Sequence, residues 1–282
     1  SLSLNSGGSA IYTGGSGTTG LSFVYTVGAT DNAADLSITA LNANGAILSD
    51  AAGNTFASFA NNPGGTLVID TIAPNAPATA PSEQGTTKLA DSYLNSAEAG
   101  TATSFRVNLS GTGAVAGDVV ELLLNGAAFG TAKTATLVST NIGNGYVDFS
   151  VASVEFGADG SKSLTARLTD QAGNISGDTA ARVFTLDTLA ASGSLASVIG
   201  TNTGATATIT SGGLTKDNTL DLSGTYADAN GVSKVEIYDG AALLGTAALS
   251  NGSWNYTTAA LSDGSHSLTA RIYDNAGNTT TT

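Results

Sequence analysis

DGSKSLTARLTDQAGN, residues 159–174, returns as DGSHSLTARIYDNAGN at residues 263–278, with twelve of sixteen positions identical and a constant offset of 104. In the first copy Leu164, Ala166 and Leu168 alternate with Thr165, Arg167 and Thr169; in the second, Leu268, Ala270 and Ile272 keep the same beat. A period of two means a β-strand with one face buried. The D-x-A-G-N that closes each copy is turn chemistry, because Asp bonds the turn backbone and Gly accepts a positive φ.

Outward from this pair the chain keeps repeating. LSGTGAVAGDVVELLLNGAAFGTA from Leu109 matches LSGTYADANGVSKVEIYDGAALLGTA from Leu222, with the offset drifting from 113 to 115. NGYVDFSVA from Asn144 matches NGSWNYTTA from Asn251, which sets Trp254 on Val147 and Tyr256 on Phe149 as core positions of one strand face. Nearer the N-terminus, SDAAGN (49–54) echoes TDQAGN, and TLVIDTIAP (66–74) echoes VFTLDTLA (183–190). A unit of roughly 105 residues is longer than a solenoid repeat, so the units are complete tandem domains. Their expected bounds are 1–74 (incomplete at its start), 75–187, and 188–282 (lacking its closing strand). No segment carries a helical stripe. Strands are expected at 103–109, 119–124, 147–151, 163–169 and 182–186. Short strands between Gly-Asn and Gly-Asp clusters, about seven per unit, indicate two-sheet antiparallel sandwiches. The fold class is therefore all-β: tandem antiparallel β-sandwiches, which the resemblance described below makes immunoglobulin-like.

Composition narrows the function. Of 282 residues 41% are apolar, enough for cores, but only 11% are charged, so hydroxyls and amides cover the surface. Acids outnumber bases 22 to 9, for a net charge of −13. That argues against nucleic acid, which needs clustered Lys and Arg, and suggests that particular carboxylates serve cations. Cys is absent, so disulfides cannot stiffen the chain; Met is absent too, which reads as an excerpt of a longer protein. No run of 18 apolar residues exists, so no membrane insertion is expected.

The S-L-T-A-R-x-x-D-x-A-G-N strand and turn, paired with the closing V-x-D-T-x-A-P, resembles the Ig-like repeats of giant bacterial surface proteins. These are type I-secreted, RTX and biofilm-type adhesins. The resemblance covers residues 75–282 and extends more weakly to 1–74. It implies an extracellular location at the bacterial cell surface and a role in adhesion or biofilm formation. Its expected partners are neighbouring repeats of the same chain, with cell-surface or matrix ligands reached through other regions. Other readings stay open: a glycan- or receptor-binding tip, a surface-layer or filament subunit, and an accessory module of a secreted carbohydrate-active enzyme.

An Ig-like strand order carries particular acids to the poles where modules meet. At the first junction Asp70 ends one unit, while Asp118, Asp170 and Asn174 come from loops of the next, with Asp31 nearby. At the second, Glu98, Asp159 and Asp187 approach from one side and Asp228, Asp274 and Asn278 from the other. Oxygen ligands of this kind suit Ca²⁺, which takes six to eight oxygens in flexible geometry, and the resemblance implies calcium that stiffens a rod. The alternative is that these acids only form turns. Asp35, Asp178, Asp221 and Asp239 read as turn or surface acids.

Catalysis finds little to work with. The single histidine, His266, falls on Lys162 in the other copy, which reads as a solvated position. One His and no Cys leave nucleophile–base systems and zinc without a residue set. Glu121 and Glu236 occupy matching strand positions expected to face solvent, and no phosphate loop is present. The chain is expected not to be an enzyme.

Overall fold

In a computed structural model, residues 1–56, 65–200 and 208–282 are described. The first strands are β1 (Leu2–Leu4), β2 (Ser9–Gly14), β3 (Ser22–Val24) and β4 (Ile38–Leu41), in one sheet of order β3-β2-β1-β4. Leu2, Leu4 and Ala10 are buried there, with Phe23, Tyr25 and Leu36 packed against them. A small core of this kind leaves Ile11 and Val24, a cross-strand pair, exposed.

Residues 82–187 form a two-sheet sandwich. Its strands are β5 (Ser82–Gln84), β6 (Tyr93–Asn95), β7 (Thr103–Asn108), β8 (Val119–Leu124), β9 (Ala127–Thr136), β10 (Tyr146–Val151), β11 (Gly160–Thr169) and β12 (Arg182–Asp187). One sheet runs β10-β7-β5, the other β6-β12-β11-β8-β9, and β6 pairs with β12 in parallel. Alternation does what the sequence implies: Leu164, Ala166 and Leu168 are fully buried, while Thr165, Arg167 and Thr169 are half-buried on the outer face. Phe105, Phe156 and Phe184 meet at centroid distances of 5.2–6.3 Å in the core. The six-residue helix Ser139–Asn144 falls between β9 and β10. No helix among the described residues is long and apolar enough to cross a membrane.

The third group of strands comprises β13 (Ser192–Gly200), β14 (Leu220–Ala227), β15 (Val232–Asp239), β16 (Ala242–Thr246), β17 (Ala248–Ser250), β18 (Ser253–Thr257), β19 (Leu268–Asp274) and β20 (Thr279–Thr281). They pack as sheets β13-β14-β18-β17 and β16-β15-β19-β20. Trp254 lies at the centre, 1% exposed, its indole N–H donating to the Ser194 carbonyl at 3.1 Å. Gly224 makes room for it, since a Cβ there would come within 2.6 Å of the indole ring. The hairpins β8–β9 and β17–β18 turn at Asn125-Gly126 and Asn251-Gly252, all four residues at positive φ. That is the type I′ pattern, whose twist matches paired strands.

Two surface expectations fail. Glu236 is buried, held by Lys234 Nζ at 2.5 Å and the Tyr238 hydroxyl at 2.8 Å. Its counterpart Glu121 is half-buried and paired with the Arg167 guanidinium at 2.7 Å. Both acids are thus held in specific pairs on the outer faces of their sheets. Lys162 and His266 are not freely solvated either. Lys162 is 7% exposed and donates to the Ala158 carbonyl at 2.5 Å; His266 is half-buried against Asp239.

Candidate metal centre

Three strand ends meet where the sandwich ending in β12 gives way to the one beginning with β13. Asp187 is the last residue of β12, fixed in register against Asn95 of β6. Asp274 is the last residue of β19, where the D-x-A-G-N turn begins, with Gly277 at φ 90°. Asp228 follows β14, and its Oδ1 accepts the Asn230 backbone N–H at 2.7 Å. One carboxylate oxygen from each of the three lies within 4.8 Å of the others. Asp187 and Asp274 are each 1% exposed.

This arrangement is electrostatically unfavourable by itself. Buried carboxylates are costly unless paired, and among the described residues no Lys or Arg forms an ion pair with any of the three. Asp187 Oδ2 is buried with no hydrogen-bond partner. Burial pushes the Asp187 carboxyl above the ordinary carboxylate range, and the charges of Asp228 and Asp274 push it further, with Asp159 adding to them; a hydrogen bond from Asn230 opposes the shift. Beside the three acids is a hollow of about 360 Å³, lined in part by Asp159, Ala190, Ser192 and Ala229.

Asn278 acts as a bracket rather than a free ligand. Its side-chain N–H₂ donates to the Asp187 carbonyl (2.8 Å) and to Asp274 Oδ2 (2.9 Å). Its Oδ1 accepts from both the backbone N–H and the hydroxyl of Ser96, at 2.9 and 2.7 Å. Asn95 reinforces the same contact by donating to the Ala276 carbonyl at 3.1 Å. Glu98 holds this side in place, its Oε2 accepting the Asn95 N–H at 3.0 Å. Asp159 caps the outgoing chain, accepting the Thr188 N–H at 2.8 Å and its hydroxyl at 3.0 Å. Sequence reasoning missed Asn95, Ser96 and Asn230. Only the D-x-A-G-N spacing, which sets an amide four residues after a carboxylate, hinted at the bracket.

The first junction has the bracket without the cluster. Asn174 donates to the Asp70 carbonyl (3.1 Å) and to Asp170 Oδ2 (2.8 Å), as Asn278 does at the second. Burial pushes the Asp170 carboxyl up, but the side-chain bond from Asn174 and the backbone N–H bonds of Asn174, Ala172 and Gly173 together outweigh it and leave the carboxyl below its ordinary range. Asp118 is 2% exposed, with Oδ2 accepting the Val115 N–H at 2.9 Å and Oδ1 unpartnered. Yet Asp70, Asp118 and Asp170 do not come together within 4.8 Å as the other three acids do. Asp31 is occupied elsewhere, accepting the Tyr25 hydroxyl at 2.7 Å and the Gly28 N–H at 2.9 Å.

The reason is a misalignment of two loops. Gln171 and Asn275, counterparts at the offset of 104, donate to the carbonyls of Ala116 and Asn230. They also pack on Gly117 and Gly231. Those contacts set the local offset at 114, so the counterpart of Asp228 is Ala114, and Asp118 stands where the other copy has Val232. The two junctions do not repeat one set of acids.

Residues 194–282 match the family model described as a bacterial Ig-like domain. No curated protein sequence matches the chain. Among solved structures, it is similar to a Ca²⁺-stabilised adhesin that helps an Antarctic bacterium reach out and bind ice. The identity is 24% and the TM-score 0.41, over 96% of this chain and 60% of that one. This chain thus spans under two thirds of that structure. A second likeness, at 20% identity and TM-score 0.36, is to a 1.5-MDa bacterial ice-binding adhesin, over 83% of this chain and 69% of that one. A third is to a bacterial immunoglobulin-like domain from the M. primoryensis ice-binding adhesin, at 24% identity and TM-score 0.26, over 40% of this chain and all of that one. The family likeness is thus to bacterial Ig-like domains, and it lies over residues 194–282.

Proposed function

We propose that this chain is a calcium-stiffened extender segment of a large bacterial cell-surface adhesin. In that role it projects a binding region used in adhesion or biofilm formation. Its working units are three modules, 1–74, 75–187 and 188–282, joined by short linkers at 73–81 and 188–191, where β13 begins at Ser192. The observation that carries the reading is the Asp187–Asp228–Asp274 cluster, which joins the last strand of one sandwich to two loops of the next.

The donor set fits Ca²⁺. All the donors are oxygens, the charge is −3, and the buried Asp187 Oδ2 has no protein partner. The Asp274 oxygens keep lone pairs beyond those used by Asn278. Three carboxylates leave room for water in a shell of six to eight oxygens, which Ca²⁺ accepts more readily than Mg²⁺. A bound ion removes the mutual repulsion of the acids and ties Asp187 to both partners, so the linker loses its freedom to bend. For a site of about 10 μM affinity in about 1 mM calcium, the bound form gains about 2.7 kcal/mol, a large part of a small domain's stability.

Titration calorimetry on the intact chain should find calcium binding that Asp228→Ala abolishes. Small-angle scattering should show an elongated particle, about 100 Å or more in length, that becomes more flexible on chelation while its strand content persists. The absence of any calcium heat would show that these acids only shape turns.

A further inference from the structure

Among the described residues, His266 faces two hydrogen-bond acceptors and no donor. Its Nδ1 lies 2.6 Å from Asp239 Oδ2, and its Nε2 lies 2.9 Å from the Ser262 carbonyl. A neutral imidazole has one N–H and can satisfy only one of these; the imidazolium satisfies both. We infer that His266 is a proton-operated pin, holding the 262–267 loop of the last module against the end of β15 when charged and releasing it when neutral. The inference does not depend on calcium.

The twin copy shows what the pin holds. Lys162 stands at the equivalent place and donates to the Ala158 carbonyl, four residues back, as His266 does to Ser262. The loop beneath Lys162 carries Asp159, which caps the backbone of Thr188 as the chain leaves the module. Its counterpart in the last module is Asp263, on the loop that His266 pins. A lysine ammonium carries donors and no acceptor, so the middle module's loop has the donor it needs in place. Histidine makes the same contact conditional on proton supply near neutrality.

Asp239 completes the pin. While Oδ2 takes the ring, Oδ1 accepts the Ser267 N–H at 2.8 Å, and Gly240 N–H donates to the Ser267 carbonyl at 2.8 Å. Asp239 is the charged group that acts on the ring; Asp263, on the loop itself, is exposed. The hydrogen bond to Asp239 and then that to Ser262 raise the imidazole above its ordinary 6.5, and burial opposes them. The imidazole in turn holds the Asp239 carboxyl low. A raised histidine stabilises the fold fully below the unfolded value, and this contribution disappears as pH rises through the folded one.

The chain's single histidine and single tryptophan give separate readouts. The ring signals of His266 in the intact chain should titrate above pH 6.5, and Asp239→Asn should move them down. Trp254 emission reports unfolding of the last module. Its melting midpoint should fall between pH 6 and pH 9 in the native chain and stay level in His266→Lys. A ring titrating at or below 6.5 overturns the inference, as does an equal fall in the native chain and His266→Lys.

Discussion

The two junctions share a scaffold and differ in charge. Both tie the carbonyl of an Asp to the Asn that closes a D-x-A-G-N turn: Asp70, after an isolated bridge at Ile69, to Asn174, and Asp187, at the end of β12, to Asn278. Only the second adds an acid after the preceding strand, at Asp228, where the first has Ala114. The second also buries more. Asp187 is 1% exposed and Asn278 takes two bonds from Ser96, while Asp70 and Asn174 are half-buried. The bracket is therefore common to both junctions, and the proposed cation site depends on one loop position.

The largest effect should separate Asp274 from Asp170. Asp274→Ala removes a proposed ligand and the partner of Asn278 at once. It should lose the calcium-linked stabilisation of about 2.7 kcal/mol together with the turn bonds. Asp170→Ala should lose only its turn bonds, about 1 kcal/mol, with calcium binding unchanged. Equal losses of calcium binding in the two variants would mean that the junctions are equivalent after all.

Asn278→Ala should come next. It orphans the Asp187 carbonyl in a buried place, at about 1–3 kcal/mol, and leaves the N–H of exposed Ser96 to water. Asn174→Ala should cost less, because its bonds are half-buried and water can replace them. Calorimetric melting of both variants without calcium isolates the bracket from the ion, and similar losses would show that burial at the second junction contributes nothing to it.

Strands were easy to read from sequence and the site was not. Period-two runs located β8 to the residue and β11 to within a few, because one buried face forces alternation whatever else the chain does. Asp187 and Asp274 end strands that meet at one junction, as an Ig-like strand order implies. Asp118 and Asp228 lie near each other in a drifting alignment and read as counterparts, whereas the structure groups only Asp228 with two other acids. The Gln171 and Asn275 contacts that fix the true offset are visible only in three dimensions. Likewise Lys162 and His266 looked interchangeable because solvated, when they are interchangeable because each donates to a carbonyl four residues back. Substitution between two cations carries the same signature in both cases.

The smallest effect, and the sharpest test of the comparison, is to rebuild the missing acid. Ala114 is half-buried beside the core of its sandwich, so Ala114→Asp should destabilise the calcium-free module modestly, by about 1 kcal/mol. With calcium, the new carboxylate would stand at the place of Asp228, facing Asp70 and Asp170 in the places of Asp187 and Asp274. The variant should bind one more calcium per chain than the parent, and more weakly, because Asp70 is less desolvated than Asp187 and loses less by staying unpaired. Calcium should then raise the melting of the middle module as well as the last, and only the last changes Trp254 emission. If the added acid brings no further calcium, then the position after β14 is not what distinguishes the junctions. The difference would then lie in the deeper burial that Ser96 and Asn278 impose on Asp187.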